Sequence, residues 1–378
     1  MVINKVDNAV QIGNHLVGLG NPIFIIAEIG LNHNQDLDMA MQLVDAAVAA
    51  GCSAAKFQTF RTEDVYVPGD LAGTYHLMGK DISIYDLHTK LEMPEDWIFK
   101  LKKYCDERNI VFFSAPIGKK ATDLLDKYQC EAFKISSYEC TNIPFVRYVA
   151  SKQKPLVLST GGASLGEIEK TVNCIQKENT PLLIMHCVTK YPAPYHCANL
   201  AVMKTLKYAF EVPVGFSDNG FIDDNGVLDY ITIPVAAAMA GADLFEIHIT
   251  MDRSLPGPDH GFATEPHELK ELVQQMKSIR KEYNHGKKFN IQQSLLGSSA
   301  KRTLPEEKYV RDFAFKSIFA AKDLSKGEKI TEQNICILRP GEHEHGIAPE
   351  YYDLIIEKAV VSEDIKRWAP ITWDLLLS

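Results

Sequence analysis

The chain has no Cys-x-x-Cys pair, no apolar run near the ~18 residues of a membrane span, and no excess of positive charge. Each absence removes a class of function. The eight cysteines, at 52, 105, 130, 140, 174, 187, 197 and 336, are scattered. In 378 residues that scatter reads as reduced thiols, not as a disulfide framework or a structural zinc module. The net charge of −9 argues against nucleic acid or an anionic membrane as partner. It leaves room for small anionic substrates, which a local pair of lysines can hold inside an acidic protein. The opening MVINKVDNAVQIG lacks the basic-then-apolar pattern of a signal peptide, so a cytoplasmic location is expected. No Gly-x-Gly-x-x-Gly follows the first apolar run, which counts against a doubly wound dinucleotide-binding sheet.

What is present is alternation. Short runs rich in β-branched and aromatic residues recur at 22–30, 54–60, 110–116, 132–137, 155–162, 182–189, 212–218 and 244–250. Each is apolar until its last two or three positions, the pattern of a strand buried on both faces. Between them lie stretches of helical periodicity, at 36–51, 121–128, 164–176 and 229–241. The first places Met39, Leu43, Ala46, Ala47 and Ala50 on one face and stops at Gly51. Ser164 with Glu167 fits a capping box. Eight strands alternating with helices over ~250 residues predict an α/β fold of the (β/α)8 TIM-barrel kind. VQIGNHLVGLG (10–20) predicts a hairpin over the barrel's bottom, and 267–286 an amphipathic last helix. The barrel domain is therefore expected over 1–286, a polar linker over 287–312 and a small domain of strands and turns over 313–378.

In such a barrel the active site lies at the strands' C-terminal ends. Those ends supply Glu28, Lys56, Gln58, Ser114, Lys134, Ser136, Ser137, Ser159, Thr160, Thr189, Ser217, Asp218, Glu246 and His248. Lys56 and Lys134 interrupt apolar strands, and a buried lysine is costly unless paired or bound to an anion. Bridges to Glu28 or Glu246 would satisfy them structurally. A phosphate held by both lysines with the Ser136 and Ser159 hydroxyls would satisfy them functionally. A third reading makes either lysine a Schiff-base nucleophile, and spacing does not separate the last two. His248 follows Glu246 and precedes a Pro/Gly-rich acidic loop, a donor set that a borderline metal accepts.

Seven segments together carry a resemblance: IAEIGLNHN (26–34), AAKFQTF (54–60), FKISSYE (133–139), LSTGGAS (158–164), HCVTKYPAP (186–194), GFSD (215–218) and DRSLPGPDH (252–260). In this order the chain resembles the sialic acid synthase family, and SIFAAKDLSKGEKIT with RPG and GIAP resembles that family's antifreeze-like (SAF) domain. The resemblance implies condensation of phosphoenolpyruvate with the open-chain aldehyde of an N-acyl hexosamine, with C–O cleavage and phosphate release. It implies a divalent metal, Mn²⁺ or Mg²⁺, and no Schiff base. By position, Lys56 and Lys134 match the lysines that bind phosphoenolpyruvate, beside Gln58, Ser137 and Ser159. Glu28 matches a glutamate held near the reacting carbons. Glu139, Tyr191 and Asp259 match sugar-facing positions, and His248 one of two metal-binding histidines. Arg339 matches an arginine delivered by the SAF domain of a second subunit, which implies a domain-swapped homodimer.

The chain also departs from the family. Ser217-Asp218-Asn219 stands where Ser-Asp-His is usual, leaving Asn219 to offer a carbonyl oxygen to the metal. The segment GFIDDNGVLDY after it is longer and more acidic than usual. Ala115 and Thr189 stand where threonine and asparagine are common. A helix-to-strand stretch at 74–85 lacks the asparagine expected to face the sugar. Intact anion-binding residues beside altered sugar-side ones point to an acceptor other than plain N-acetylmannosamine. A non-catalytic sugar-binding relative is the reading that the lost histidine keeps open.

Overall fold

The computed structural model describes residues 8–69, 72–77 and 79–377. Eight parallel strands close a barrel: β1 (Phe24–Gly30), β2 (Ala54–Thr59), β3 (Val111–Pro116), β4 (Phe133–Ile135), β5 (Leu156–Ser159), β6 (Leu182–Cys187), β7 (Val214–Asp218) and β8 (Leu244–His248). Each is followed by a helix on the outside: α1 (Leu37–Ala50), α2 (Glu95–Glu107), α3 (Lys119–Lys127), α4 (Ile143–Ala150), α5 (Leu165–Lys177), α6 (Ala201–Phe210), α7 (Thr232–Met239) and α8 (Pro266–Asn284). All eight strands fall within the apolar runs of the sequence. The caps of α1 and α5 also fall where the sequence puts them. Asp36 accepts from the backbone of Asp38 and Met39, Gly51 is left-handed at φ 85°, and the Ser164–Glu167 box forms. The buried face of α1 is Ala40, Leu43, Val44, Ala47 and Ala50, one position off the expected Met39 and Ala46.

The barrel interior is filled from below. Val10–Ile12 and His15–Val17 pair as an antiparallel hairpin, and Val10, Ile12 and Val17 pack against Phe24, Phe113, Val157, Leu183 and Met185. That plug fills the lower half, and the upper strand ends face a cavity. Among the described residues no helix is long and apolar enough to cross a membrane.

Two expectations change. Residues 74–85 are not helix-to-strand: Thr74–Leu77 and Lys80–Ser83 form an antiparallel hairpin, then Ile84–Leu91 is helical. Period-two alternation in a short, half-exposed ribbon competes poorly with helical periodicity when read from sequence. Nor is 287–312 a free spacer. Gln293–Leu296 and Pro305–Glu307 are helical turns, Lys308–Ala314 is a helix that runs past residue 312, and Lys301 and Glu307 are buried.

Beyond it, Ser317–Ala320 pairs with Ile335–Leu338, and Val360–Val361 with Leu376–Leu377, around a core that includes Ile318, Leu324, Ile330, Ile347 and Ile371. This small domain lies against its own barrel. Val67 packs on Phe319 and Leu338, and Tyr66 bridges to Arg339 in parallel. Burying each such side chain is worth ~1.5–3 kcal/mol, which stabilises a domain too small to stand comfortably alone.

Candidate active site

Side chains alternate along a strand, so residues two apart share the barrel's inner face. Lys56 and Gln58 on β2, and Glu246 and His248 on β8, reach the axis by this rule. Glu28 sits between them in register, opposite Lys56 on one side and His248 on the other. A register shift between Glu28 and Gly30 fixes this place, and Gly30 is left-handed at φ 52°. A Cβ at residue 30 would lie 2.8 Å from Glu28 Oε1 and 3.1 Å from Gln58 Nε2. Glycine there keeps the pair's surroundings open.

The lysines are paired and also line the cavity. Lys56 Nζ lies 2.7 Å from Glu28 Oε2 and 3.5 Å from Glu246 Oε1, and Lys134 Nζ lies 3.3 Å from the same Glu246 oxygen. Gln58 Nε2 donates to Glu28 Oε1 at 2.9 Å. Burial works against the charge on Lys56, but Glu246 and Glu28 together outweigh it and raise its pKa. Burial prevails at Lys134, with Lys56 adding repulsion, and its pKa is lowered despite Glu246. Glu246 would be raised by burial, yet the two ammonium groups hold it below the usual range. One carboxylate is thus shared by two cations. Lys134 has the weaker share, and an incoming anion would complete its neutralisation.

Around it are hydroxyls with nothing to bind. Ser136 Oγ and Ser159 Oγ are buried and have no partner among the described residues. Ser137 Oγ accepts from Gly161 N at 3.0 Å, which leaves its proton to donate elsewhere. Buried hydroxyls normally find partners, and two unmatched ones beside a buried lysine leave donors that an anion would satisfy. The cavity measures about 370 Å³ and is also lined by Tyr191, Ser217, Asn219, His248 and Asp259. Its outer wall is apolar, with Leu31, Phe60, Ile84, Leu87, Ile117 and Phe313.

Of the sequence-derived site residues, Glu28, Lys56, Gln58, Lys134, Ser137, Ser159, Tyr191, Asn219, His248, Asp259 and Arg339 all line this cavity. Glu139 does not. The turn Ser137–Glu139 after β4 takes it off the strand's alternation. Its carboxylate accepts from Asn142 Nδ2 at 2.7 Å and lies 3.4 Å from Lys316 Nζ, in a crevice between the barrel and the C-terminal domain. Within this one chain Arg339 reaches the cavity of its own barrel. Its backbone N–H donates to Val65 O at 2.8 Å, its Nη1 to Tyr66 Oη at 3.0 Å, and its guanidinium lies 4.6 Å from the Tyr138 ring centre.

The metal-side residues meet loosely. His248 Nδ1 is buried without a hydrogen-bond partner and lies 3.9 Å from Asp259 Oδ2. Asn219 Nδ2 donates to Val188 O at 2.8 Å and to Cys187 Sγ at 3.2 Å, which leaves the amide oxygen as its free end. Among the described residues, no three His, Cys, Asp or Glu donors converge here within a metal's reach. One imidazole, one carboxylate and one amide oxygen fit a hard divalent ion that keeps water or substrate oxygens for the rest of its shell. Asp218, beside Asn219, faces no cation, and burial raises its pKa to about 7, only partly offset by the Gly220 N–H.

Sequence reading missed the supports. Glu307, 1% exposed, accepts from Gly162 N (2.8 Å), Thr189 N (2.9 Å), Thr189 Oγ1 (3.1 Å) and Leu304 N (2.9 Å). It ties the loops after β5 and β6 to the segment beyond α8. Thr189 accordingly serves this carboxylate and does not line the cavity. No local pattern distinguishes Glu307 from its neighbour Glu306. Tyr66, which flanks Arg339 on one side, likewise carries no motif, and Tyr138 on the other lies within FKISSYE but was not singled out.

The model of the NeuB family matches residues 43–288, and that of the SAF domain residues 315–377. The spore coat polysaccharide biosynthesis protein SpsE of Bacillus subtilis is 40% identical over 98% of this chain and 97% of its own. Its crystal structure superposes with a TM-score of 0.86, covering 98% of this chain and 99% of that one at 39% identity. The N,N'-diacetyllegionaminic acid synthase of Legionella pneumophila is 33% identical over 93% of this chain and 94% of its own. The N-acetylneuraminic acid synthetase of Leptospira borgpetersenii, crystallised with citrate, aligns with a TM-score of 0.66 at 34% identity, over 75% of this chain and 92% of that one. With a family model matched over most of its barrel and relatives of this identity along nearly its whole length, the chain belongs to the NeuB family and carries a SAF domain at its C-terminal end.

Proposed function

We propose that the chain condenses phosphoenolpyruvate with the open-chain aldehyde of an N-acyl amino sugar, giving a nonulosonic acid and inorganic phosphate. The observation that carries this is the under-neutralised Lys134 beside the unpartnered Ser136 and Ser159 hydroxyls, with Lys56 next to it. A phosphate and a carboxylate on one small molecule would satisfy all four groups. Relatives at 30–35% identity named for legionaminic, pseudaminic and N-acetylneuraminate-9-phosphate synthesis support the reaction class.

In this reading Lys56, Lys134, Ser137 and Ser159 orient the anion so that its nucleophilic carbon faces the cavity's open side. Glu28, held by Lys56 and Gln58, orients the water that adds at the adjacent carbon and takes its proton. Tyr191, Asp259 and the guanidinium of Arg339 face the sugar. The apolar wall of Leu31, Phe60, Ile84 and Leu87 suits acyl methyl groups or a deoxygenated carbon, which favours an acceptor other than plain N-acetylmannosamine. A divalent ion, Mg²⁺ or Mn²⁺, at His248, Asp259 and Asn219 would supply polarisation of the aldehyde oxygen.

One observation favours a second reading: a lysine with a lowered pKa is what Schiff-base catalysis needs, and Lys134 has it. The two separate cleanly. Borohydride with pyruvate should leave Lys134 unmodified, whereas phosphate release should depend on phosphoenolpyruvate and an acceptor drawn from a panel of N-acyl hexosamines. A reduced adduct on Lys134 would overturn the proposal.

A further inference from the structure

Outside the cavity, three donors of different chemistry converge where the segment after α8 meets the barrel. His196 and Cys197 lie in the short helical turn Tyr195–Cys197 that precedes α6, and Glu306 in the turn Pro305–Glu307. One ligand atom from each lies within 4.8 Å of the other two, and His196 Nε2 is 3.2 Å from Glu306 Oε1. Around a tetrahedral zinc ion, nitrogen and oxygen donors sit roughly 3.3 Å apart and sulfur and nitrogen donors roughly 3.6 Å apart. The His–Glu spacing is already close to that figure. The thiol is buried and the imidazole exposed, so the three leave one side open to solvent.

We propose that His196, Cys197 and Glu306 form a zinc site, with water in the fourth position, that clamps the segment after α8 to the barrel. The scattered cysteines hide it, because its thiol has no second cysteine nearby in sequence and its carboxylate comes from more than a hundred residues later. A plain surface ion pair between His196 and Glu306 would account for two of the residues and core packing for the buried thiol; a metal ion is what would join all three. Glu306 adjoins Glu307, the carboxylate that holds Gly162 and Thr189 at the cavity's edge. An ion on Glu306 therefore fixes the backbone from which Glu307 reaches inward. Zinc, not magnesium, is the ion this set selects, since it joins sulfur, nitrogen and a single oxygen.

Cobalt(II) replaces zinc in such sites and reports a thiolate ligand by a charge-transfer band in the near ultraviolet. Chelator-treated full-length protein titrated with Co²⁺ should show that band, and Zn²⁺ should displace it one for one. Cys197→Ser should abolish the band. Cys187→Ser, which alters the cysteine lining the main cavity, should leave it intact. His196→Ala and Glu306→Ala should each weaken Co²⁺ binding at least tenfold, and both positions tolerate truncation because neither side chain is buried. Absence of the band in the wild type, its survival in Cys197→Ser, or its loss in Cys187→Ser would overturn the assignment.

Discussion

Glu307 offers the sharpest test of how the site is held. Its two oxygens receive four hydrogen bonds, three of them from backbone N–H groups of Gly162, Thr189 and Leu304. Hydrogen bonds to a buried charged group are worth ~1.5–3 kcal/mol each, and a donor left unmatched costs ~1–3 kcal/mol. Glu307→Ala strands those donors and also strips the nearby buried Lys301 of its main compensating charge. Because the cavity left behind admits some water, the cost should stay near ~3–5 kcal/mol, well below the simple sum. Glu307→Gln keeps one acceptor oxygen for Gly162 and Thr189 but turns an amide NH₂ toward the Leu304 N–H. Its cost should be nearer ~1–3 kcal/mol. Urea unfolding of the three proteins, with m compared to confirm similar exposed surface, reads these values. The same variants should raise KM for phosphoenolpyruvate more than they lower kcat, since Ser159 lies just before the loop that Glu307 fixes. Glu307→Ala within ~0.5 kcal/mol of wild type would refute the assigned role, as would Glu307→Gln being the worse of the two.

Three further outcomes follow from the structure. His33, His88 and His260 are held near a pKa of about 4 and His186 near about 3, all chiefly by burial, against the usual 6.5. Because these folded values are depressed, the stability from keeping the rings neutral is complete above 6.5 and is lost as pH falls toward 4. Asp218, raised to about 7, has the opposite sign and offsets one of the four, so stability below pH 6 should fall toward ~4 kcal/mol per pH unit. Urea midpoints between pH 7 and 5 check this, and His186→Gln should remove about one proton from the slope. Asn219→His should shift the preferred activating ion from Mg²⁺ toward Mn²⁺ or Zn²⁺, read as the ratio of kcat/KM with each metal. Mixing Arg339→Ala with Lys134→Met by co-expression should restore no activity if each chain supplies its own arginine. Recovery to a sizeable fraction of wild type would show that subunits exchange the domain.

The barrel was legible because its strands are buried on both faces: the apolar runs are continuous and the polar residues appear only where a strand leaves the core. Lys56 and Lys134 stood out for the same reason, and both proved to line the cavity and to be ion-paired. Contacts made across long sequence distances were not legible. Glu139 was expected to face the sugar only from the family resemblance, and a helical turn after β4 carries it into the interdomain crevice instead. Glu307 and Lys301 looked like solvated linker charges, because the surface that buries them lies more than a hundred residues upstream. The hairpin at 74–83 fell between the two periodicities, with too few residues to express either.

The central claim is tested by inorganic phosphate itself. With phosphoenolpyruvate, a divalent metal and a panel of N-acyl hexosamines carrying one or two acyl groups, the account predicts phosphate release that requires an acceptor. Release should fall by at least a thousandfold in both Lys56→Met and Lys134→Met, while circular dichroism shows the barrel intact. Acceptor-independent release, or unchanged release in Lys134→Met, would contradict it.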